Sequence, residues 1–291
     1  MYRDYASYIK EKFGMRVQKI ALNPGFGCPN RDGKIGYGGC SYCNNKTFSP
    51  YYGKHENAIG LQLKEGIEFF GRKYKAQKYI AYFQSYTNTY ADISELRRIY
   101  SEALSHPDVV GLTVATRPDC APDNVLDLLA EFSRKVYTTI EFGVESCYND
   151  TLARINRGHD FAAAQDAIIR AAQKGLEVCA HLIMYMPGET DEMMIRTAQI
   201  MSQLPVSILK LHQLQIIKGT PMEKEYEAHP WHLPTVDEYV DFCARYIKES
   251  RAGMIFERFI SESPRSMLVA PCWNGIKNYE FTEKLRRKVA G

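Results

Sequence analysis

Three cysteines, Cys28, Cys40 and Cys43, fall within sixteen residues, in Asn23-Pro24-Gly25-Phe26-Gly27-Cys28-Pro29-Asn30 and Gly38-Gly39-Cys40-Ser41-Tyr42-Cys43-Asn44. Thiolates two residues apart turn to the same side, so Cys40 and Cys43 can chelate one metal centre. Cys28 reaches it from across a glycine-rich loop whose backbone is free to wrap. The other five cysteines, Cys120, Cys147, Cys179, Cys243 and Cys272, are scattered singly. Iron–sulfur clusters usually take four protein thiolates. Three would leave one iron open to a chelating small molecule, as an open position separates catalytic from structural metal sites. Two other readings compete. One is a structural zinc site with His55 as fourth ligand. The other is a Cys40–Cys43 redox pair, which leaves Cys28 unexplained and lacks an evident helix.

A loop of this kind needs a frame. Short β-rich runs at 17–22, 78–83, 109–115, 136–142, 177–183 and 208–214 alternate with helical periods at 58–74, 93–104, 122–133, 161–174 and 193–204. In 161–174 the apolar residues Phe161, Ala164, Ile168 and Ala171 recur at three- and four-residue steps, and Gly175 stands where a helix ends. Strands trailed by helices imply parallel pairing with right-handed crossovers. Chemistry then collects on loops at the C-terminal strand ends, where the cysteine loop lies. The expected fold is α/β, a partial (β/α)6 TIM-like barrel spanning 1–250. A C-terminal extension, 251–291, packs on it, with a further strand at 254–260 and a basic last helix from Asn278.

At 291 residues, 45% apolar and 24% charged, the chain has material for a full core. Its net charge of +3 does not argue for nucleic acid by itself. The basic runs Arg72-Lys73-Tyr74-Lys75 and Lys284-Leu285-Arg286-Arg287-Lys288 read as solvated helix faces. No apolar run approaches the ~20 residues that span a bilayer, and the first residues lack a secretory signal's apolar stretch. A cytoplasmic protein with reduced thiols and no disulfide partner is expected.

The cysteine loop, with aromatic Tyr42 before its third cysteine, resembles that of radical S-adenosylmethionine (SAM) enzymes. Its eleven residues between Cys28 and Cys40 exceed the commonest spacing there. They resemble the branch containing the Elongator catalytic subunit, and most closely the bacterial YhcC/YtqA family. Further blocks extend the resemblance along nearly the whole chain. They are Tyr82-Phe83-Gln84-Ser85-Tyr86-Thr87-Asn88-Thr89-Tyr90, Thr116-Arg117-Pro118-Asp119, Glu141-Phe142-Gly143-Val144-Glu145-Ser146, Asn156-Arg157-Gly158-His159 and Met186-Pro187-Gly188-Glu189-Thr190.

The resemblance implies two cofactors: a [4Fe–4S] cluster on Cys28, Cys40 and Cys43, and SAM chelating its open iron. One electron, from an external reductant of flavodoxin or ferredoxin type, splits SAM into methionine and a 5′-deoxyadenosyl radical. Gln84 and Ser85 stand where many members carry Gly-Gly-Glu for the SAM amine. Glu145 matches a residue near the methionine or ribose part. Arg157 is a carboxylate partner, or else a structural mate of Glu145. Arg117 faces SAM or substrate, and the backbone at Met186 faces adenine, although Tyr185 replaces the usual glycine. Glu189 and Thr190 serve equally as a helix start. His181 and His212 read as core histidines; Lys210 and Lys218 lie where they reach the active face. Lone Cys120, Cys147 and Cys272 read as small buried hydrophobes. The Elongator subunit modifies wobble uridine at carbon 5, which makes tRNA the candidate partner, though the chain lacks room for that protein's acetyltransferase domain. The rival class is a zinc- or cluster-stabilised module that binds nucleic acid or protein, or transfers electrons, without SAM chemistry.

Overall fold

Each of the six β-rich runs forms a strand. The structure is a computed structural model that describes residues 2–44, 47, 50, 52–74 and 77–290. Lys75 of the first basic run lies outside them. In chain order the elements are β1 (Arg3–Asp4), α1 (Tyr5–Phe13), β2 (Val17–Leu22), α2 (Ile59–Gly71), β3 (Lys78–Phe83), α3 (Ile93–Ala103), β4 (Val109–Thr116) and α4 (Asp123–Ser133). Then come β5 (Tyr137–Glu145), α5 (Asn149–Arg154), α6 (Phe161–Gln173), β6 (Glu177–Met184), α7 (Asp191–Gln203), β7 (Ile208–Gln213), β8 (Ile216–Ile217) and α8 (Pro221–Ala228). The remainder is α9 (Val236–Glu249), β9 (Ile255–Arg258), β10 (Leu268–Ala270) and α10 (Asn278–Ala290).

The main sheet runs β1-β9-β7-β6-β5-β4-β3-β2, and every neighbouring pair is parallel. It curls into a partial barrel, as expected, with all C-terminal strand ends at one rim. Two short strands extend the expected six: β9, inside the predicted 254–260 run, and β1, which pairs with it. Helix α6 bears out its sequence pattern: Asp160 caps it by accepting from the Ala163 amide, Ala164, Ala167, Ile168 and Ala171 are buried, and Gly175 has φ +78°. Helix α9 begins with a capping box between Thr235 and Glu238 and packs against α7 and α10. The basic residues of α10 pair largely with acids, Lys284 with Asp237, Arg286 with Glu283 and Lys288 with Asp241, so that run is a solvated face.

The apolar core lies between the sheet's outer face and the helices, where Phe83, Phe142, Phe242, Tyr239 and Leu129 are buried. The concave face is different: it holds ions. Lys19 of β2 meets Glu257 of β9 at 2.6 Å, joining elements from opposite sides of the curl. Lys210 of β7 donates to Glu141 of β5 at 2.7 Å and to the Tyr82 hydroxyl of β3 at 2.5 Å, and lies 3.9 Å from Glu257. Burial alone would raise the pKa of Glu141, but Lys210 and Lys19 outweigh it and hold the carboxyl below its ordinary range. Glu141, Cys179 and Glu257 lie close enough to hold one ion. Both carboxylates are already committed to lysines, so the group is a salt-bridge network.

Breaking one end of such a pair leaves a buried charge without its counter-ion. Lys19→Met should destabilise the fold by about 3 kcal/mol, whereas the double variant Lys19→Met/Glu257→Leu should recover most of the loss. Urea unfolding of the two variants checks both outcomes.

Candidate functional site

Side chains alternate along a strand, so one residue in two faces the barrel interior. Tyr82 and Gln84, Glu141 and Gly143, His181 and Ile183, and Lys210 and His212 obey this rule and line one cleft. The cleft holds about 1180 Å³ of space, open to solvent at the rim. Cys28, Cys40 and Cys43 line the same cleft and are its only lining cysteines among the described residues.

The loop bearing them is stapled to the segment after α5. Ser41 N donates to Ile155 O at 2.9 Å, Asn30 Nδ2 to Asn156 O at 2.6 Å, and Asn156 Nδ2 to Gly39 O at 2.8 Å. A tight turn links the closer pair, with Cys43 N donating to Cys40 O at 3.0 Å. Gly39, at φ +83°, lets Arg31 pack closely, since a Cβ there would sit 2.7 Å from Arg31 Nε. Arg31 in turn donates to Cys43 O at 2.9 Å, and Arg157 Nη1 lies 3.5 Å from Cys40 Sγ. Burial pushes the Cys43 thiol up, as does Cys40, while Arg31 pulls it down. Cationic neighbours favour thiolates and hence metal ligation.

His55, the proposed fourth zinc ligand, is exposed and sits beside Glu56. Three cysteines lining one cleft beside Arg31 and Arg157, with no fourth cysteine among its described lining residues, fit an iron–sulfur cluster with one open iron.

Next to this loop stands Glu145, buried at 6% exposure. His181 Nδ1 lies 2.9 Å from its Oε2, and Arg157 Nη2 lies 3.6 Å from its Oε1. Arg157 also donates to Gly143 O. Gly143 makes this possible, because a Cβ there would fall 2.5 Å from Glu145 Oε1 and 2.8 Å from Arg157 Nη2. Burial would raise the Glu145 pKa, yet His181 and then Arg157 overcome it and bring it down to about 2. The His212 ring lies 4.6 Å from that of His181. Burial first, then His181 and Arg258, push the His212 pKa well below its ordinary value.

Four residues other than glycine adopt the left-handed backbone around the rim: Tyr86 (φ 61°), Glu145 (φ 69°), Asn156 (φ 53°) and Tyr185 (φ 68°). Such conformations cost energy and persist where tertiary contacts over-determine them. Tyr185 shows how. Its amide lies 2.9 Å from Met194 Sδ while its ring packs on Phe242 and Tyr239.

Of the expected SAM contacts, Gln84, Arg117, Glu145 and Arg157 line the cleft with the cysteines. Arg117 is held by Asp119 through bonds of 2.9 and 2.7 Å. Ser85 is buried behind the rim, and Met186 packs among Leu152, Ile155, Ile183 and Leu214, so neither side chain lines the cleft. Thr190 caps α7 and Glu189 accepts from Ser146 Oγ. Cys120 and Cys147 are buried hydrophobes as expected, but Cys272 is exposed. The histidines depart from the core reading, because both face the cleft. Alternation with Lys210 on β7 was the available signal for His212. Tyr82, Tyr86 and Glu141, present in the resembling blocks without an assigned role, also line the cleft, as does Arg258.

The sequence matches a family described as the radical SAM superfamily over residues 22–201, and a radical SAM C-terminal domain over residues 206–290. YtqA of Bacillus subtilis is 36% identical over 282 residues, covering 97% of this chain and 87% of YtqA. YhcC of Escherichia coli is 40% identical over 266 residues, covering 91% and 85%. The solved structure of Methanocaldococcus infernus Elp3, with its N-terminus deleted, superimposes with a TM-score of 0.69 at 19% identity, over 94% of this chain and 62% of that one. At that identity the likeness speaks for the fold.

Glu145 keeps its charge in the folded protein far below the pH at which an unfolded glutamate loses it. Its contribution to stability is therefore full above the unfolded pKa and declines as pH falls through that value toward the folded one. Between pH 6 and pH 4 the wild type should lose about 1 kcal/mol more stability than Glu145→Gln. Urea midpoints at the two pH values measure the difference.

Proposed function

This chain belongs to the radical SAM superfamily, and on that premise we propose that it modifies a base of tRNA, the wobble uridine, by SAM-derived radical chemistry. Members of the superfamily use a [4Fe–4S] cluster with SAM and draw on an external reductant. One observation carries the assignment of the cluster: Cys28, Cys40 and Cys43 line a single cleft at the strand ends without a fourth cysteine among its described lining residues. When bound, the cluster supplies the electron that splits SAM into methionine and a 5′-deoxyadenosyl radical.

The chain's own residues have other tasks in this proposal. Arg31 and Arg157 hold the cysteine loop and balance thiolate charge, supported by their contacts to Cys43 and Cys40. Arg157 orients a SAM carboxylate through its planar donor fork. Gln84 and the backbone around Ser85 accept from the SAM amine, in place of the Gly-Gly-Glu of other members. Glu145, kept ionised by His181 and Arg157, accepts from the ribose or methionine part. Arg117 guides substrate or SAM, and the backbone at Met186 borders the adenine. The strand-end cleft shields the reacting groups from water. A flavodoxin or ferredoxin is the proposed reductant. The tRNA proposal rests on the Elongator-like character of the cysteine loop and blocks, together with a fold shared with an Elp3.

Anaerobic reconstitution should give a brown protein that releases 5′-deoxyadenosine on reduction with dithionite. Replacing Cys28, Cys40 or Cys43 by Ala should abolish both properties. Full 5′-deoxyadenosine release from all three variants would refute the cluster assignment. For the substrate, deleting the gene should change the mass of a wobble nucleoside in bulk tRNA, and tRNA binding should weaken with added salt. An unaltered nucleoside profile would count against tRNA.

A further inference from the structure

Cations that line the cleft are matched by partners, with one exception among the described residues. Arg31 donates to Cys43 O, Arg117 to Asp119, Arg157 to Gly143 O, and Lys210 to Glu141. Arg258 also lines the cleft. Its side chain makes no ion pair or hydrogen bond with the described residues, and its Nε is enclosed without a partner.

A register shift accounts for its position. Leu209 of β7 pairs with Phe256, but Lys210, the next residue, pairs with Arg258, so Glu257 is an extra residue on β9. In a regular strand Glu257 and Arg258 would point to opposite faces. A bulge re-aims side chains in this way and is common beside active sites. Here Glu257 points inward to Lys19, at 2.6 Å, and Arg258 is turned into the cleft as well. The carboxylate next in sequence is thus unavailable to it. The field of Arg258 reaches Tyr82 and His212, and the wall beyond it carries Ser261 and Ser263. A half-enclosed guanidinium without an anion is unfavourable, unless a ligand supplies one.

We propose that Arg258 receives an anionic group of the substrate, a carboxylate or a phosphate, on the β7–β9 wall of the cleft. A guanidinium presents paired donors that fit either oxyanion. Arg157, beside Cys40, is the cation placed to serve SAM, which leaves Arg258 for the second reactant. The inference rests on reading the cleft as the substrate site, yet its test needs no turnover.

Calorimetric titrations of the reconstituted full chain, with SAM already bound, would use inorganic phosphate and acetate as separate probes. The wild type should bind one of them, and which one it prefers identifies the group. Arg258→Gln should weaken that binding about tenfold or more and leave SAM affinity unchanged. Arg258→Lys keeps the charge but not the fork, so it should fall between the two and keeps the test readable if the glutamine variant folds poorly. Equal oxyanion binding by all three proteins, binding of neither probe by the wild type, or an equal loss of SAM affinity in Arg258→Gln would each overturn the proposal. Absence of 5′-deoxyadenosine formation by a protein that binds the cluster and SAM would instead strike the proposed radical chemistry and leave the calorimetry standing.

Discussion

Burying an ion inside a protein costs several kcal/mol unless a counter-ion is buried with it. The concave face of this sheet holds Lys19, Glu141, Lys210 and Glu257, and their partners come from strands far apart in sequence. A strand that slipped by one residue would turn its ion outward and leave the partner alone. The network therefore selects the register of β2, β5, β7 and β9 together. That register decides which residues reach the rim, because Glu145, His212 and Arg258 follow these ions along the same strands.

The rim concentrates departures from regular backbone. Tyr86, Glu145, Asn156 and Tyr185 are left-handed there, and register shifts occur beside Glu145 and Arg258. Each turns a group toward the cleft or brings chain segments together where regular strands would not. The hydrophobic layer outside the sheet supplies the stability that tolerates them. Strain and core thus sit on opposite faces of one sheet.

Much of this was legible in the sequence. The apolar runs located β2 to β7, and three cysteines just after β2 located the active rim. The parallel order followed from alternation with helices. Local irregularities were not legible, because they depend on pairing between distant residues. The bulge at Glu257 needs the register of β7, and without it Arg258 reads as an outward strand residue. His181 sits in an apolar run and resembles a core residue until Glu145 is placed opposite it. Strand β1 is two residues long, too short for any periodicity to announce it. Helix α9 differs in kind, since Thr235 and Glu238 carry a capping signature that the sequence shows directly.

The seam of the barrel also bears on how the chain assembles. Arg3 pairs with Ile255, and Lys19 needs Glu257, 238 positions later. Contacts this far apart are the slowest to form. During synthesis, strands β2 to β7 can associate first, but Lys19 must stay solvated until β9 has emerged. The ionic interior is thus sealed late, and the nascent half-barrel remains open along one edge for most of its production. That interval exposes an unpaired strand edge, the feature by which partly made sheets aggregate.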